Sequence, residues 1–257
     1  MVQEHEPTWQ RQRLTLDDAH AVDVRRAGPD EGRPLVLVHG IGVSGDYFLP
    51  FARVLARQRP VVMLDLPGYG LTPTPPRPLD IPALAAAALE ALARLGVTDR
   101  VLVGQSMGCQ VVVDALAADP GGTAGYVLIG PTVDPDARNP LRIAARLALD
   151  MARETPANNL VVLQDYVRMG PLRYLATTAH MLADRIEEGI GACHMPGLVI
   201  RGGRDPIAPA RWVSHLAALA PDAALAEVDG AAHNVQHTHP EELARACAPF
   251  LSRVAAT

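Results

Sequence analysis

The residues Val101-Leu102-Val103 form a short apolar run that ends at Gly104-Gln105-Ser106-Met107-Gly108, and an apolar-periodic segment from Met107 to Ala118 follows without a break. That order predicts a strand, a sharp turn and a helix. A turn this tight lifts one side chain above the strand end, so the positions two before and two after Ser106 need residues with little or no Cβ. Gly104 and Gly108 meet that need. With four serines and 21 glycines in 257 residues, glycine at both flanking positions of any serine has a chance expectation of about 0.03. An ordinary turn serine is therefore the poorer reading.

The same alternation runs along most of the chain. Leu14 to Val24 alternates weakly before a turn at Gly28 to Pro34, which predicts an antiparallel hairpin at a sheet edge. The unbroken apolar runs Pro34 to Val38, Pro60 to Asp65, Tyr126 to Ile129, Gly197 to Arg201 and Ala224 to Val228 predict strands, most of them covered on both faces. Helices are expected over Tyr47 to Gln58, from an Asp80 cap to Leu95 with a stop at Gly96, up to Ala220, and from Pro240 to Val254. From Pro131 to Met195 the alternation is lost and helical segments succeed one another: Pro140 to Arg153, Pro156 to Met169, Pro171 to Ala179 and His180 to Glu188.

A serine hydroxyl needs a base near neutral pH, and the base needs a group that holds its tautomer. Candidates for both follow Ser106 in the chain, each just after a predicted strand: Asp205 in Arg201-Gly-Gly-Arg-Asp-Pro-Ile-Ala-Pro, and His233 in Gly230-Ala-Ala-His-Asn. Asp134 is a rival acid, and Asp65 at a strand end reads better as a loop-shaping acceptor. His237 and His239 lie close to His233, but Thr238-His239-Pro240-Glu241-Glu242 reads as a helix start, which leaves His239 near a cap and His237 in a loop.

Together the serine turn, the His39-Gly40-Ile41-Gly42 loop, the Asp65-Leu66-Pro67-Gly68-Tyr69-Gly70 loop, the Asp205 loop and the His233 loop resemble the α/β-hydrolase superfamily. The resemblance implies an α/β fold with a mostly parallel eight-stranded sheet and helices on both faces. Residues 1–130 and 196–257 would form this core, and residues 131–195 an inserted helical cap. It further implies a Ser106, Asp205, His233 triad, with Gly104 and Gly108 shaping the elbow and His39 and Gly40 opening an oxyanion loop whose donor is the Ile41 N–H. The free N–H groups at a helix start make Met107 N–H the second donor. The implied activity is hydrolysis of a carboxylic ester of a small or medium apolar substrate through an acyl-enzyme. Cleavage of carbon-carbon bonds in vinylogous diketones is the alternative, although His39-Gly40-Ile41-Gly42-Val43-Ser44-Gly45 departs from the glycine-rich loop usual there. Lactonase, acyltransferase and perhydrolase chemistry use the same residues, and a ligand receptor that keeps a triad is a further reading. A serine at the elbow argues against the dehalogenases and epoxide hydrolases, which use a carboxylate there.

Composition narrows the rest. The formal net charge is -5 with scattered charges, which gives no support for a nucleic-acid partner. No lysine occurs, which excludes Schiff-base chemistry and a P-loop clamp. Cys109, Cys193 and Cys247 share no metal or disulfide spacing, and no metal or organic cofactor is expected. Seven arginines against eight carboxylates in residues 131–195 leave no field to draw in a strongly anionic substrate. Met151, Tyr166, Met169, Tyr174 and Met181 are candidates for an apolar pocket, at spacings where side chains more often simply pack. Met1 to Leu16 carries no apolar leader segment and no run is long enough to span a membrane, so a cytoplasmic protein without membrane partners is expected. The partner expected is a small-molecule substrate; a homodimer stays open.

Overall fold

The computed structural model describes residues 6–18 and 20–255. In chain order the elements are β1 (Gln10–Thr15), β2 (Ala21–Ala27), β3 (Leu35–Val38), α1 (Leu49–Ala56), β4 (Val61–Asp65), α2 (Ile81–Arg94), β5 (Arg100–Gln105), α3 (Met107–Ala118) and β6 (Thr123–Ile129). Then follow α4 (Pro140–Arg153), α5 (Pro156–Met169), α6 (Pro171–Ala183) and α7 (Ile186–Gly189), and the chain closes with β7 (Gly197–Gly202), α8 (Ala210–Leu219), β8 (Ala223–Val228), α9 (Val235–Thr238) and α10 (Pro240–Ala255).

The eight strands form one sheet in the order β1-β2-β4-β3-β5-β6-β7-β8. β1 pairs antiparallel with β2, and β2 with β4; the pairs from β4 through β8 are all parallel. The apolar strand runs are legible as such because both sheet faces are covered. Val36, Val38 and Leu102 point to a layer containing α2, α3 and α8, whereas Leu35, Leu37, Val101 and Val103 point to a layer containing α1 and α10. Each such side chain, sealed from water, contributes about 2 kcal/mol. The exposed β1 and the part-exposed β8 close the two edges.

The chain passes from β3 to β4 on one side and returns to β5 on the other, so the sheet's switch point lies between β3 and β5. Crevices for ligands open at the carboxyl ends of strands at such a point. His39 to Ile41 leave β3 there, and Ser106 leaves β5.

Local signals set the helix starts. Asp80 accepts from Ala83 N at 3.0 Å, and proline occupies the first turn of α2, α4, α5 and α6. Two expectations are corrected. His180 does not begin a helix: α6 runs through it to Ala183, where Asp184 turns extended, and only the short α7 follows. His237 is not in a loop but in the single turn α9. No helix among the described residues is long and apolar enough to cross a membrane.

Candidate active site

Ser106 sits between β5 and α3 with φ 56° and ψ -122°, a conformation that side-chain-bearing residues rarely adopt and that costs about 1–3 kcal/mol. Its N–H donates to the Ile129 carbonyl at 2.9 Å, and its own carbonyl accepts from Cys109 N at 3.0 Å, so the strain is held from both sides. The flanking glycines are needed for space. A Cβ on Gly104 would lie 2.4 Å from the Gly108 carbonyl oxygen, and one on Gly108 would lie 2.2 Å from that of Val38. The helix start is thus pressed against the end of β3, and Met107, first in α3, has an N–H with no partner inside its helix. Gly40 is equally confined, since its Cβ would meet the Gln105 side chain at 2.8 Å and the Ser106 Cβ at 3.1 Å.

The structure brings Asp205 and His233 together. Asp205 Oδ2 and His233 Nδ1 are 2.8 Å apart, and both residues are buried. The other carboxylate oxygen of Asp205 accepts the backbone N–H groups of Ile207 at 2.7 Å and Ala208 at 3.0 Å, which fixes the orientation of the acid. Arg201 braces the same loop, donating to the carbonyls of Asp205 at 3.0 Å and Ala208 at 2.9 Å while pairing with Glu227. Burial disfavours the charged imidazole of His233, but Asp205, Asp150 and Glu154 outweigh it and raise the group to about 9.

The rival residues have other partners. Asp134 is tied to Arg146 at 2.8 Å and to Arg211, and accepts from Asp136 N at 3.1 Å. Asp65 accepts from Gly45 N at 2.6 Å and from Arg25 at 3.3 Å, shaping a loop. His39 is fully buried: its Nε2 accepts from Leu66 N at 3.2 Å, so Nδ1 carries the proton it donates to the Gly40 carbonyl at 2.9 Å. Burial keeps its pKa below the usual value, and the neutral ring staples the β3 loop to the β4 loop. His237 stacks on Tyr47 with ring centroids 5.2 Å apart, and His239 contacts the Thr238 hydroxyl beside the start of α10.

Ser106 and His233 share a cavity of about 180 Å³ with Gly40 and Ile41. Its walls are mostly apolar, from Val43, Ile143, Leu147, Val162, Leu175 and Ile207 among others. Met151, Tyr166, Tyr174 and Met181 line it too, whereas Met169 packs against the core. Among the described residues no group of three or more His, Cys, Asp or Glu side chains is placed to hold a metal ion.

Two residues near the site were not singled out by sequence reasoning. Asp150 in the last turn of α4 and Glu154, the extended residue that ends it, reach the His233 loop: Asp150 Oδ1 accepts from His233 N at 3.0 Å and Glu154 Oε1 from Asn234 N at 2.9 Å. Their i, i+4 spacing was the available signal, but it fits a solvated helix face equally well.

Residues 35–246 match the model of the alpha/beta hydrolase family. The chain is 30% identical over 245 residues to the dihydrolipoyllysine-residue acetyltransferase component of the acetoin cleaving system of Pseudomonas putida, covering 88% of this chain and spanning 65% of that protein's length. It is 27% identical over 259 residues to a pimeloyl-[acyl-carrier protein] methyl ester esterase of Xanthomonas campestris pv. campestris (strain B100), covering 90% of this chain and 98% of the other. A solved thermophilic esterase from Thermogutta terrifontis shares the fold with a TM-score of 0.81 at 22% identity, over 96% of this chain and 99% of that one. Because the family pattern spans residues 35–246, well over half of the chain and six of the eight strands, the chain belongs to the alpha/beta hydrolase family.

Proposed function

We propose that the protein is a serine hydrolase that cleaves a carboxylic ester of a small or medium, largely apolar substrate through an acyl-enzyme. One observation carries the reading: Ser106, strained onto its turn, opens into the same apolar cavity as a histidine whose far nitrogen is held by a buried carboxylate. Similarity to a methyl ester esterase supports the choice of bond. The cavity of about 180 Å³ is below the roughly 300–1,000 Å³ usual for drug-sized ligands, which supports a small substrate. Residues 131–195 act in this reading as a cap, since α4, α5 and α6 supply much of the cavity wall.

Ser106 Oγ attacks the ester carbonyl carbon and its proton passes to His233 Nε2, while the Nδ1 proton stays on the hydrogen bond to Asp205. The oxyanion accepts from the N–H groups of Ile41 and Met107, the latter at the positive end of α3. The protonated His233 then gives its proton to the departing alcohol. Water attacks the acyl-enzyme with His233 again as base, releasing the acid and regenerating Ser106. Hydrolysis of p-nitrophenyl esters of increasing acyl length, wild type beside Ser106→Ala, tests the assignment. The variant is expected to lose nearly all turnover. Full activity in Ser106→Ala overturns the mechanism, and the chain-length optimum sizes the cavity.

A further inference from the structure

We propose that Asp150 and Glu154 are positioning residues for the base: two carboxylates at the C-terminal end of α4 hold the backbone of the His233 loop and set the field in which its imidazole works. The inference rests on the reading of His233 as general base. The contacts are the two backbone hydrogen bonds, His233 N to Asp150 at 3.0 Å and Asn234 N to Glu154 at 2.9 Å. They join residues about eighty positions apart, so they exist only because α4 crosses over the end of the sheet.

The choice of acceptor is informative. A backbone N–H is satisfied by any carbonyl or hydroxyl oxygen, and a buried carboxylate costs far more to desolvate than either. Asp150 is only 1% exposed and lines the apolar cavity. Burial raises both carboxyls above their usual range, Glu154 to about 7. Negative charge at so costly a place is explained by a positive charge that needs it, and His233 becomes imidazolium whenever it takes the Ser106 proton. The charged groups acting on the imidazole are Asp205 from the β7–α8 loop, Asp150 from the last turn of α4 and Glu154 just after it; Arg153, the last residue of α4, acts on Asp150 and turns its guanidinium to the Arg204 carbonyl at 2.6 Å. One carboxylate on the ring and two on the backbone of its loop therefore act on one base. They stabilise the imidazolium of the transition state, and they hold the resting base protonated up to higher pH than Asp205 would alone.

Asp150→Asn and Glu154→Gln test this, because each keeps the acceptor oxygen and removes the charge. The His233 imidazole is titrated by NMR in the wild type and in both variants, and kcat/KM is followed against pH in parallel. The expected result is a downward shift of the His233 midpoint by about one pH unit in Asp150→Asn, which is about tenfold more free base at any pH well below the midpoint. A shift in the same direction is expected in Glu154→Gln, and the acid limb of kcat/KM should move with both. Asp150→Ala, which removes the acceptor as well, should lose kcat that Asp150→Asn retains. Midpoints unchanged in both charge-removing variants overturn the proposal, and they do so even if the Ala variant does not fold. The titration needs no turnover, so loss of the esterase reading, seen as wild-type activity equal to that of Ser106→Ala, is distinguishable from failure of this inference.

Discussion

Asp205→Asn removes the charge of the predicted triad acid while keeping its shape, and the loop around it dictates how the new side chain sits. Ile207 N–H and Ala208 N–H both aim at Oδ1, at 2.7 Å and 3.0 Å. Two donors need an acceptor, so the asparagine carbonyl takes the Oδ1 place and its NH2 takes the place of Oδ2. That NH2 then faces His233 Nδ1 across the 2.8 Å contact. Two donors cannot share a hydrogen bond, so Nδ1 gives up its proton and the neutral ring carries it on Nε2, the nitrogen that must accept from Ser106. The base is thereby held in the wrong tautomer. The expected loss in kcat is about 10,000-fold, or about 5.5 kcal/mol of barrier. Ester hydrolysis with a p-nitrophenyl substrate measures it, with imidazole NMR to report the protonated nitrogen and thermal unfolding to confirm a folded variant. Activity within tenfold of wild type in a folded Asp205→Asn protein refutes the assignment of Asp205 as the orienting acid.

Three other substitutions probe the surroundings. Gly108→Ala puts a Cβ 2.2 Å from the Val38 carbonyl oxygen and 2.7 Å from that of His39, and backbone cannot rotate away; urea unfolding should show a loss of about 3 kcal/mol, and a loss under about 1 kcal/mol would mean the elbow yields. His39→Ala leaves the buried Leu66 N–H without its acceptor and should cost about 2 kcal/mol or more in the same assay, whereas a wild-type unfolding midpoint would show that the staple contributes nothing. Glu154 has a folded-state pKa of about 7, above its ordinary 4.5, so its ionisation works against folding and the penalty develops as pH rises from 4.5 through 7. Glu154→Gln should therefore be more stable than wild type at about pH 9 and show no such gain at about pH 4, and equal stability differences at both would refute the burial argument.

The parts of this protein that could be read along the chain are those whose physics is local. Gly104 and Gly108 are demanded by the steric limits of one turn, and Ser106 between them follows. Val36 and Leu37 read as a strand covered on both faces because consecutive side chains must go to opposite layers, and both are apolar. Pro140, Pro156 and Pro171 announce helix starts because proline lacks only a hydrogen-bond donor that the first turn leaves unused. The β7 loop of Asp205 and the β8 loop of His233 were legible because both follow strands whose carboxyl ends share one side of the sheet. Helix ends were harder, as His180 shows: the α6 ladder simply continues through it until Asp184 turns extended.

What tertiary structure alone decided is which distant side chains face the site. Tyr166 and Tyr174 line the cavity while Met169, on the same stretch, does not, a difference set by how α5 and α6 lie over the sheet. Asp134 and Asp205 are both acids placed after strands, and only the arginines at 146 and 211 take the first out of contention. Asp150 reads as an ordinary charge on a helix and Glu154 as one just past its end, and they reach His233 and Asn234 only because α4 folds back across the strand ends. A local rule constrains neighbours in sequence through bond geometry and period, whereas a contact across eighty residues depends on the packing of whole elements, which no short stretch encodes.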